Sequence, residues 1–351
     1  MEKQIKAISL FTGAGGMDIG FEAAGVSVVL ANELVPDASE TYRANHPSTV
    51  LVNDDINNIL PQLYNYQGVD LVFGGPPCQG FSVAGKMDPE DERSKLIFTF
   101  LDVVSIVKPR AFVMENVKAL GELGKWKTVR ERYLERAKEL GYCCHYFILN
   151  ATEYGVPQKR ERVFFVGFRE GEFDRQDFQK RIEASKTAAP TIRKTLCPLG
   201  TAGSKSNPNT CVAKITFAIN PIMRKSPYAG MYFNGQGRPI EIDGYANTLP
   251  ASMGGNKTPI IDEVYLYNKD ANNYVEEYHR GLVNGTIQPC EGEAPKRLRR
   301  ITIREAARIQ TFPDDYVFCG KNAAIYKQIG NAVPCKLAEA VARAVVSYIQ
   351  K

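Results

Sequence analysis

Residues 5–33 read IKAISLFTGAGGMDIGFEAAGVSVVLANE, and this stretch decides the fold. Two short apolar runs of strand type, IKAISLF (5–11) and VSVVLA (26–31), enclose a helical segment near 17–24 that carries Ala and Glu. A strand, a helix and a second strand at this spacing form a βαβ unit. The same alternation continues outward. VDLVFGG (69–75) is a buried strand, KLIFTFLDVVSIV (95–107) has helical apolar spacing and stops before Pro109, and AFVMEN (111–116) is a further strand. KTVRERYLERAKELG (127–141) is an amphipathic helix with Gly141 as its stop, followed by strands at CCHYFILN and RVFFVGF. The pattern predicts an α/β fold with a doubly wound, mainly parallel sheet through about residue 168.

The texture then changes. From about 170 to 296 the alternation stops and Gly, Pro, Asn and Tyr dominate, as in KSNPNTC, YAGMYFNGQGRPIEIDGY and ASMGGNKTPIID. A second, loop-rich domain is expected there. Regular helix returns at TIREAARIQTF (302–312), where Thr302 and Glu305 make a capping box. A last helix over about 335–349 carries Leu337, Val341, Ala344, Val345 and Tyr348 on one face, so it should dock on a core. The expected division is 1–169, 170–296, and a segment 297–351 that returns to the first domain. No internal repeat or low-complexity tract interrupts it.

Composition narrows the function. A chain of 351 residues with 44% hydrophobic content can bury a large core. No apolar run approaches the roughly 18 residues of a membrane span, and MEKQIKAISLF lacks the marks of a signal peptide, so a cytoplasmic protein is expected. Eight cysteines without a C-x-x-C pair read as free thiols. The three histidines, His46, His145 and His279, are not spaced for zinc or for a serine triad. No metal is expected. A net charge of +5 hints at a polyanionic partner.

Gly13, Gly15, Gly16 and Gly20 fall at the turn from the first strand into the first helix, where a ligand can approach the backbone closely. Glu33, closing the second strand, is placed to accept hydrogen bonds from ribose hydroxyls. NAD and S-adenosylmethionine both suit such a cleft. The G-x-G-x-x-G count fails because Asp18 stands where the third glycine belongs, which weighs against NAD. In GGPPCQGFSVAG (74–85), Cys78 follows a strand end, flanked by prolines and glycines that display it at the carboxyl edge of the sheet. Glu115 closes another strand and is expected on the same rim. Arg160 and Arg162 alternate along an extended segment, so their side chains are expected on one face.

These segments, in this order, resemble the DNA (cytosine-5)-methyltransferases of the bacterial restriction-modification type II class. The resemblance rests on FTGAGG, NE (32–33), DDI (54–56), GPPCQGFS, ENV (115–117), QKRERV, RLRRITIREAARIQTFP and QIGNAVP, with NTLPA as a fainter match. It implies a Rossmann-like class I methyltransferase domain with the variable stretch inserted as a target recognition domain. It implies S-adenosylmethionine as methyl donor, with S-adenosylhomocysteine as product, bound by Phe11, Gly13, Gly15, Gly16, Glu33, Asp55, Ile56, Pro77 and Asn331. Catalysis would fall to Cys78, Glu115, Arg160 and Arg162. Double-stranded DNA would be the substrate, its cytosine extruded into the pocket. The stretch FSVAGKMDPEDERS (81–94) would then close over it. DNA contacts would fall to Gln79, Ser82, Lys86, Arg93, Thr248, Gly254 and Gly255. A cognate restriction endonuclease and a monomeric state are further implications.

Cytosine C5 is too poor a nucleophile to take a methyl group unaided, which is why a thiolate, an acid and paired arginines are wanted together. A transfer-RNA cytosine-5 methyltransferase would share every one of these parts except the substrate, and the large insertion favours duplex DNA. A nicotinamide oxidoreductase would leave Cys78, Glu115 and the arginines without a joint role. A non-catalytic DNA-binding module would have no use for Cys78.

Overall fold

The computed structural model describes residues 4–77, 92–169 and 173–350, with the backbone alone at 92–94. Cys78, Gln79, Ser82 and Lys86 lie outside the described residues, as does most of the expected closing loop, and so does the side chain of Arg93. The chain forms two units. The first comprises Met1–Tyr154, Glu161–Thr187 and Val333–Lys351, and the second Gly155–Arg160 and Ala188–Ala332.

The first unit is built on a seven-stranded sheet. Its strands are β1 (Lys6–Leu10), β2 (Ser27–Asn32), β3 (Val50–Val52), β4 (Leu71–Gly74), β5 (Ala111–Val117), β6 (Cys143–Asn150) and β7 (Glu161–Phe168), in the order β3-β2-β1-β4-β5-β7-β6. The first five run parallel, while β7 is antiparallel to both β5 and β6. This is the doubly wound, mainly parallel sheet that the alternation implied. Central strands are covered on both faces, which is why β1 and β4 carry four consecutive buried residues each. Strand order reverses between β1 and β4, and ligands in open α/β sheets bind outside the carboxyl ends at such a point.

Helices α1 (Gly16–Ala23), α2 (Pro36–Asn45), α3 (Glu92–Val107) and α4 (Lys127–Glu139) cover the sheet. Ile8, Leu10, Val72, Phe100, Phe112, Met114 and Trp126 form one buried cluster. Helix α5 (Arg175–Glu183) and the last helix, α6 (Cys335–Ile349), belong to this unit as well. Tyr348 of α6 sits among Phe168, Phe173 and Phe178 at ring distances of 4.8, 5.4 and 5.8 Å. Leu337, Val341, Ala344 and Val345 are buried, as their spacing implied. Gly20 permits the close approach of α6 to α1: a Cβ there would lie 2.5 Å from the Cys335 carbonyl oxygen of α6. Gly20, grouped in the sequence with the ligand loop, is therefore a helix-packing residue.

The second unit has short elements, the longest strand being Phe217–Ile222. Its core gathers Ile215, Tyr228, Tyr232, Phe233, Ile260, Val275, Tyr278 and Leu298. Arginines supply much of the cross-linking: Arg299 pairs with Glu263 and Glu305, Arg297 with Asp262, and Arg193 with Asp243. The capping box of Thr302 and Glu305 starts the helix Ile303–Ile309, and Asn207 clamps it by accepting from the Thr302 hydroxyl at 2.6 Å.

The units divide at 187/188 and 332/333, whereas the sequence had placed the limits at 169/170 and 296/297. Residues 173–187 stay with the sheet because Phe178 packs on Phe168 and Tyr348. Residues 297–332 stay with the second unit because Leu298–Arg300 pairs antiparallel with Ile260–Asp262 and because Asn207 holds the capping box. The segment 155–160 joins the second unit through Gln158–Lys159, which pairs with Ala246–Asn247.

Candidate active site

Three chain segments leave the carboxyl ends of neighbouring strands on the sheet rim. The first is the β1–α1 loop. Phe11, Gly13 and Gly15 take left-handed backbone conformations at φ +53°, +57° and +77°. The Gly13 N–H donates to Glu33 Oε2 at 2.7 Å, and the Val35 N–H to Glu33 Oε1 at 2.8 Å. A Cβ at Gly13 would meet nothing within 4 Å, so the loop's outer side is open among the described residues. Gly16 is the first helical residue of α1 and Phe11 is half-buried against the core.

Asn32 extends the same rim. Its amide donates to the carbonyls of Val52 and Asp54 at 3.2 and 2.9 Å, fixing the turn that carries Asp55. Asp55 in turn caps the short helix Ile56–Ile59, accepting from the Asn57 N–H at 2.8 Å, while Ile56 is buried beneath it. The glycine-turn cradle, the Glu33 carboxylate and the Asp55 turn suit a ribosyl nucleoside, and so fit S-adenosylmethionine.

The second and third segments meet at Glu115. This residue lies opposite Phe164 in the β5–β7 ladder, which puts Arg162 on the diagonal and on the same face. Arg162 Nε reaches Glu115 Oε1 at 2.9 Å, with both side chains largely buried. A Cβ at Gly75 would stand 3.0 Å from Glu115 Oε2, and the Asn116 amide donates to the Pro76 carbonyl at 3.2 Å. Glu115 therefore lies against the segment leading through Pro77 into Cys78.

Arg160 is placed differently. It belongs to the second unit, is 2% exposed, and donates to the carbonyls of Leu249, Gly330 and Asn331 at 3.2–3.5 Å. Arg160 and Arg162, expected on one face, fall in different units, because the chain passes from one unit to the other at residue 161. Asn331 ends the helix Asn322–Asn331 in the second unit, with its side chain exposed. Thr248 is also exposed, and its hydroxyl donates to the Lys159 carbonyl at 2.8 Å. Gly254 and Gly255 have φ of +106° and +100°, and a Cβ at Gly254 would stand 3.0 Å from Ala323 Cα.

Sequence reading assigned no role to Asp18, Asn32 or Asn116. Asn32 and Asn116 were legible in outline, since each adjoins a rim carboxylate in the NE and EN pairs. Asp18 entered only as the residue standing where a third glycine belongs. Among the described residues no cluster of His, Cys, Asp and Glu is arranged to hold a metal ion, and no described helix is long and apolar enough to cross a membrane.

Comparison with solved structures gives a methyltransferase fold: S. pombe Dnmt2 superposes with a TM-score of 0.65 at 19% identity, covering 98% of each chain. The profile of the C-5 cytosine-specific DNA methylases matches residues 5–347, and the chain belongs to that family. It is similar to the Type II methyltransferase M1.HphI of Haemophilus parahaemolyticus, with 35% identity over 97% of this chain and 86% of the relative. It is similar also to M.Sau96I of Staphylococcus aureus, with 32% identity over 99% of this chain and 77% of the relative. The enzyme is a DNA (cytosine-5)-methyltransferase, and its relatives support DNA over transfer RNA as the substrate.

Proposed function

We propose that the chain methylates C5 of a cytosine within one short double-stranded DNA sequence, as the modification partner of a restriction endonuclease, and that it acts as a monomer in the cytoplasm. The observation that carries the chemistry is Glu115, oriented by Arg162 and lying beside Gly75 and Pro76. S-adenosylmethionine would supply the methyl group as an electrophile on a positively charged sulfur. Phe11, Gly13, Gly15, Gly16 and Glu33 would hold it with Asp55 and Ile56, and Pro77 and Asn331 would complete its surroundings.

The Cys78 thiolate adds to C6 of the extruded base, forming a C–S bond and pushing the C5–C6 π pair onto C5. Glu115 holds the N3 and exocyclic amine edge, so that charge developing on the ring is neutralised by a proton at N3. C5 would then bond the methyl group that the cofactor supplies, the methyl–sulfur bond breaking so that its electron pair stays with S-adenosylhomocysteine. Loss of the C5 proton to a base returns its electron pair to the ring, the C6–S bond breaks, and Cys78 leaves with that pair as thiolate. Arg162 keeps Glu115 in place throughout, and buried Arg160 keeps the segment before it in register.

DNA contacts are assigned to Gln79, Ser82, Lys86 and Arg93 after the nucleophile and to Thr248, Gly254 and Gly255 in the second unit. Cationic side chains there would position phosphates while exposed loops meet base edges.

Whole-genome bisulfite sequencing of a methylation-free bacterial host expressing the chain tests this beside the same host expressing Cys78→Ala. Protected cytosines confined to one short motif, and lost with the variant, are expected. Protection that persists in Cys78→Ala would overturn the covalent mechanism.

A further inference from the structure

A buried carboxylate that the reaction does not use lies directly behind the cofactor loop. Asp18, in the first turn of α1, is fully buried, and burial raises its pKa above the usual carboxylate value. Its Oδ2 accepts the Thr12 hydroxyl at 2.6 Å and its Oδ1 accepts the Tyr42 hydroxyl of α2 at 2.9 Å. Tyr42 is itself fully buried and stacks on His46 at a ring distance of 4.3 Å, and His46 Nδ1 lies 3.0 Å from Glu22.

Thr12 stands between Phe11 and Gly13, both left-handed. Phe11 is not a glycine, and such a conformation persists only where its surroundings over-determine it. The Thr12 main chain is tied on both sides, its N–H donating to the Asn32 carbonyl at 3.1 Å and its carbonyl accepting from the Gly15 N–H at 3.0 Å. Those bonds fix where the loop passes. The hydroxyl bond to Asp18 additionally fixes how the Phe11–Thr12–Gly13 segment is rotated, and hence where the Phe11 ring and the Gly13 N–H point.

We propose that Asp18 is a positioning residue for cofactor binding: through Thr12 it holds Phe11 and Gly13 in their binding conformation, and Tyr42 holds Asp18 from the opposite side. The inference rests on the reading of the β1–α1 loop as the S-adenosylmethionine site. Preorganisation of this kind improves affinity by removing an ordering cost that binding would otherwise meet. It should leave the chemical step alone.

The decisive variant is Thr12→Val, which is nearly isosteric, removes the hydroxyl, and leaves Asp18 bonded to Tyr42. Isothermal titration of the full-length protein with S-adenosylhomocysteine is expected to show about tenfold weaker binding, equivalent to about 1.4 kcal/mol. In the methylation assay KM for S-adenosylmethionine should rise to match, with kcat and KM for DNA unchanged. Thr12→Ser, which restores the hydroxyl, should bind within about twofold of the wild type.

Wild-type affinity in Thr12→Val with a lowered Tm would reduce the bond to a fold-stabilising one and overturn the proposal, as would a loss confined to kcat. If Thr12→Val does not fold, Tyr42→Phe carries the test from α2. A smaller weakening in the same direction supports the proposal and an unchanged affinity overturns it. Failure of the wild type to bind S-adenosylhomocysteine would instead overturn the cofactor assignment itself.

Discussion

Arg160 and Arg162 are two residues apart on one extended segment, yet they belong to two units and are held in opposite ways. Arg162 lies on β7, where the ladder with β5 delivers it to a single carboxylate, Glu115, on the sheet rim. Arg160 lies in the second unit, 2% exposed, with its terminal nitrogens on main-chain carbonyls. A carboxylate partner orients a charged pair that can face a substrate. Carbonyl partners take up the terminal donors of Arg160 and leave it cross-linking backbone. The lesson is that residue type and spacing fix what a side chain can donate, while the neighbours that folding brings to it fix what accepts.

The sharpest way to break this contrast is at the carboxylate. Glu115→Gln keeps the shape and the Arg162 neighbour but removes the acid, and kcat is expected to fall by about 10²- to 10⁴-fold with Tm little changed. Methyl transfer under single-turnover conditions with saturating DNA measures it, and turnover within a few-fold of wild type would remove Glu115 from the chemistry. The arginines come next. Arg162→Ala frees Glu115 to move and should cost about 10²-fold in kcat/KM with only a small change in Tm. Arg160→Ala should act chiefly on stability, because each buried carbonyl left unpaired costs about 1–3 kcal/mol. Calorimetric unfolding beside kinetics separates the two, and a reversed pattern would mean that the regions have been assigned the wrong roles.

What was legible in the sequence follows the range of the interactions. β1, α1 and β2 were legible because their periodicity is local, and the rim positions of Glu33 and Glu115 follow from strand ends. The Thr302 capping box was legible because its partners are three residues apart. Asp18 was not, since its meaning depends on Tyr42, which only the folding of α2 against α1 brings to it. The divergence of Arg160 from Arg162 was hidden because it depends on Gln158–Lys159 pairing with the distant Ala246–Asn247. The unit boundary at 187/188 depends likewise on Tyr348 of α6 reaching Phe178. Cys78 is singled out by its setting among prolines and glycines, a local feature that needs no distant partner.

Gly20 gives a smaller and purely structural contrast with Gly13 in the same segment. A Cβ at Gly13 meets open space but is strained by the left-handed backbone, whereas at Gly20 the backbone is helical and the obstacle is α6. Gly20→Ala places a methyl 2.5 Å from both the Cys335 carbonyl oxygen and the Glu339 nitrogen, main-chain atoms that cannot rotate away. Overpacking of this kind costs about 1–3 kcal/mol. The expected result is a lowered Tm with the affinity for S-adenosylhomocysteine retained in the folded protein. Lost affinity without lost stability would return Gly20 to the ligand loop.

The smallest effect belongs to the exposed ion pairs of the second unit. Arg193 binds Asp243 bidentately at 2.6 and 3.0 Å, and the Tyr265 hydroxyl donates to the same carboxylate at 2.6 Å. These hydrogen bonds, Arg193's foremost, hold the Asp243 carboxyl down at about 2. The ordinary value is about 3.9, so the folded state favours the ionised form. The stabilisation is therefore complete above about pH 4 and is lost as the pH falls towards 2. Because the Asp243 side chain is 44% exposed, solvent screening limits it to about 0.5 kcal/mol. Asp243→Asn should lower stability by that amount at pH 7 and by nothing at pH 2, so the two urea-unfolding curves converge on acidification. Curves that stay parallel between pH 4 and 2 would mean that Arg193 is held by its other acceptors, the carbonyls of Tyr265 and Leu266, and that in this unit even an arginine with a carboxylate partner is anchored by backbone.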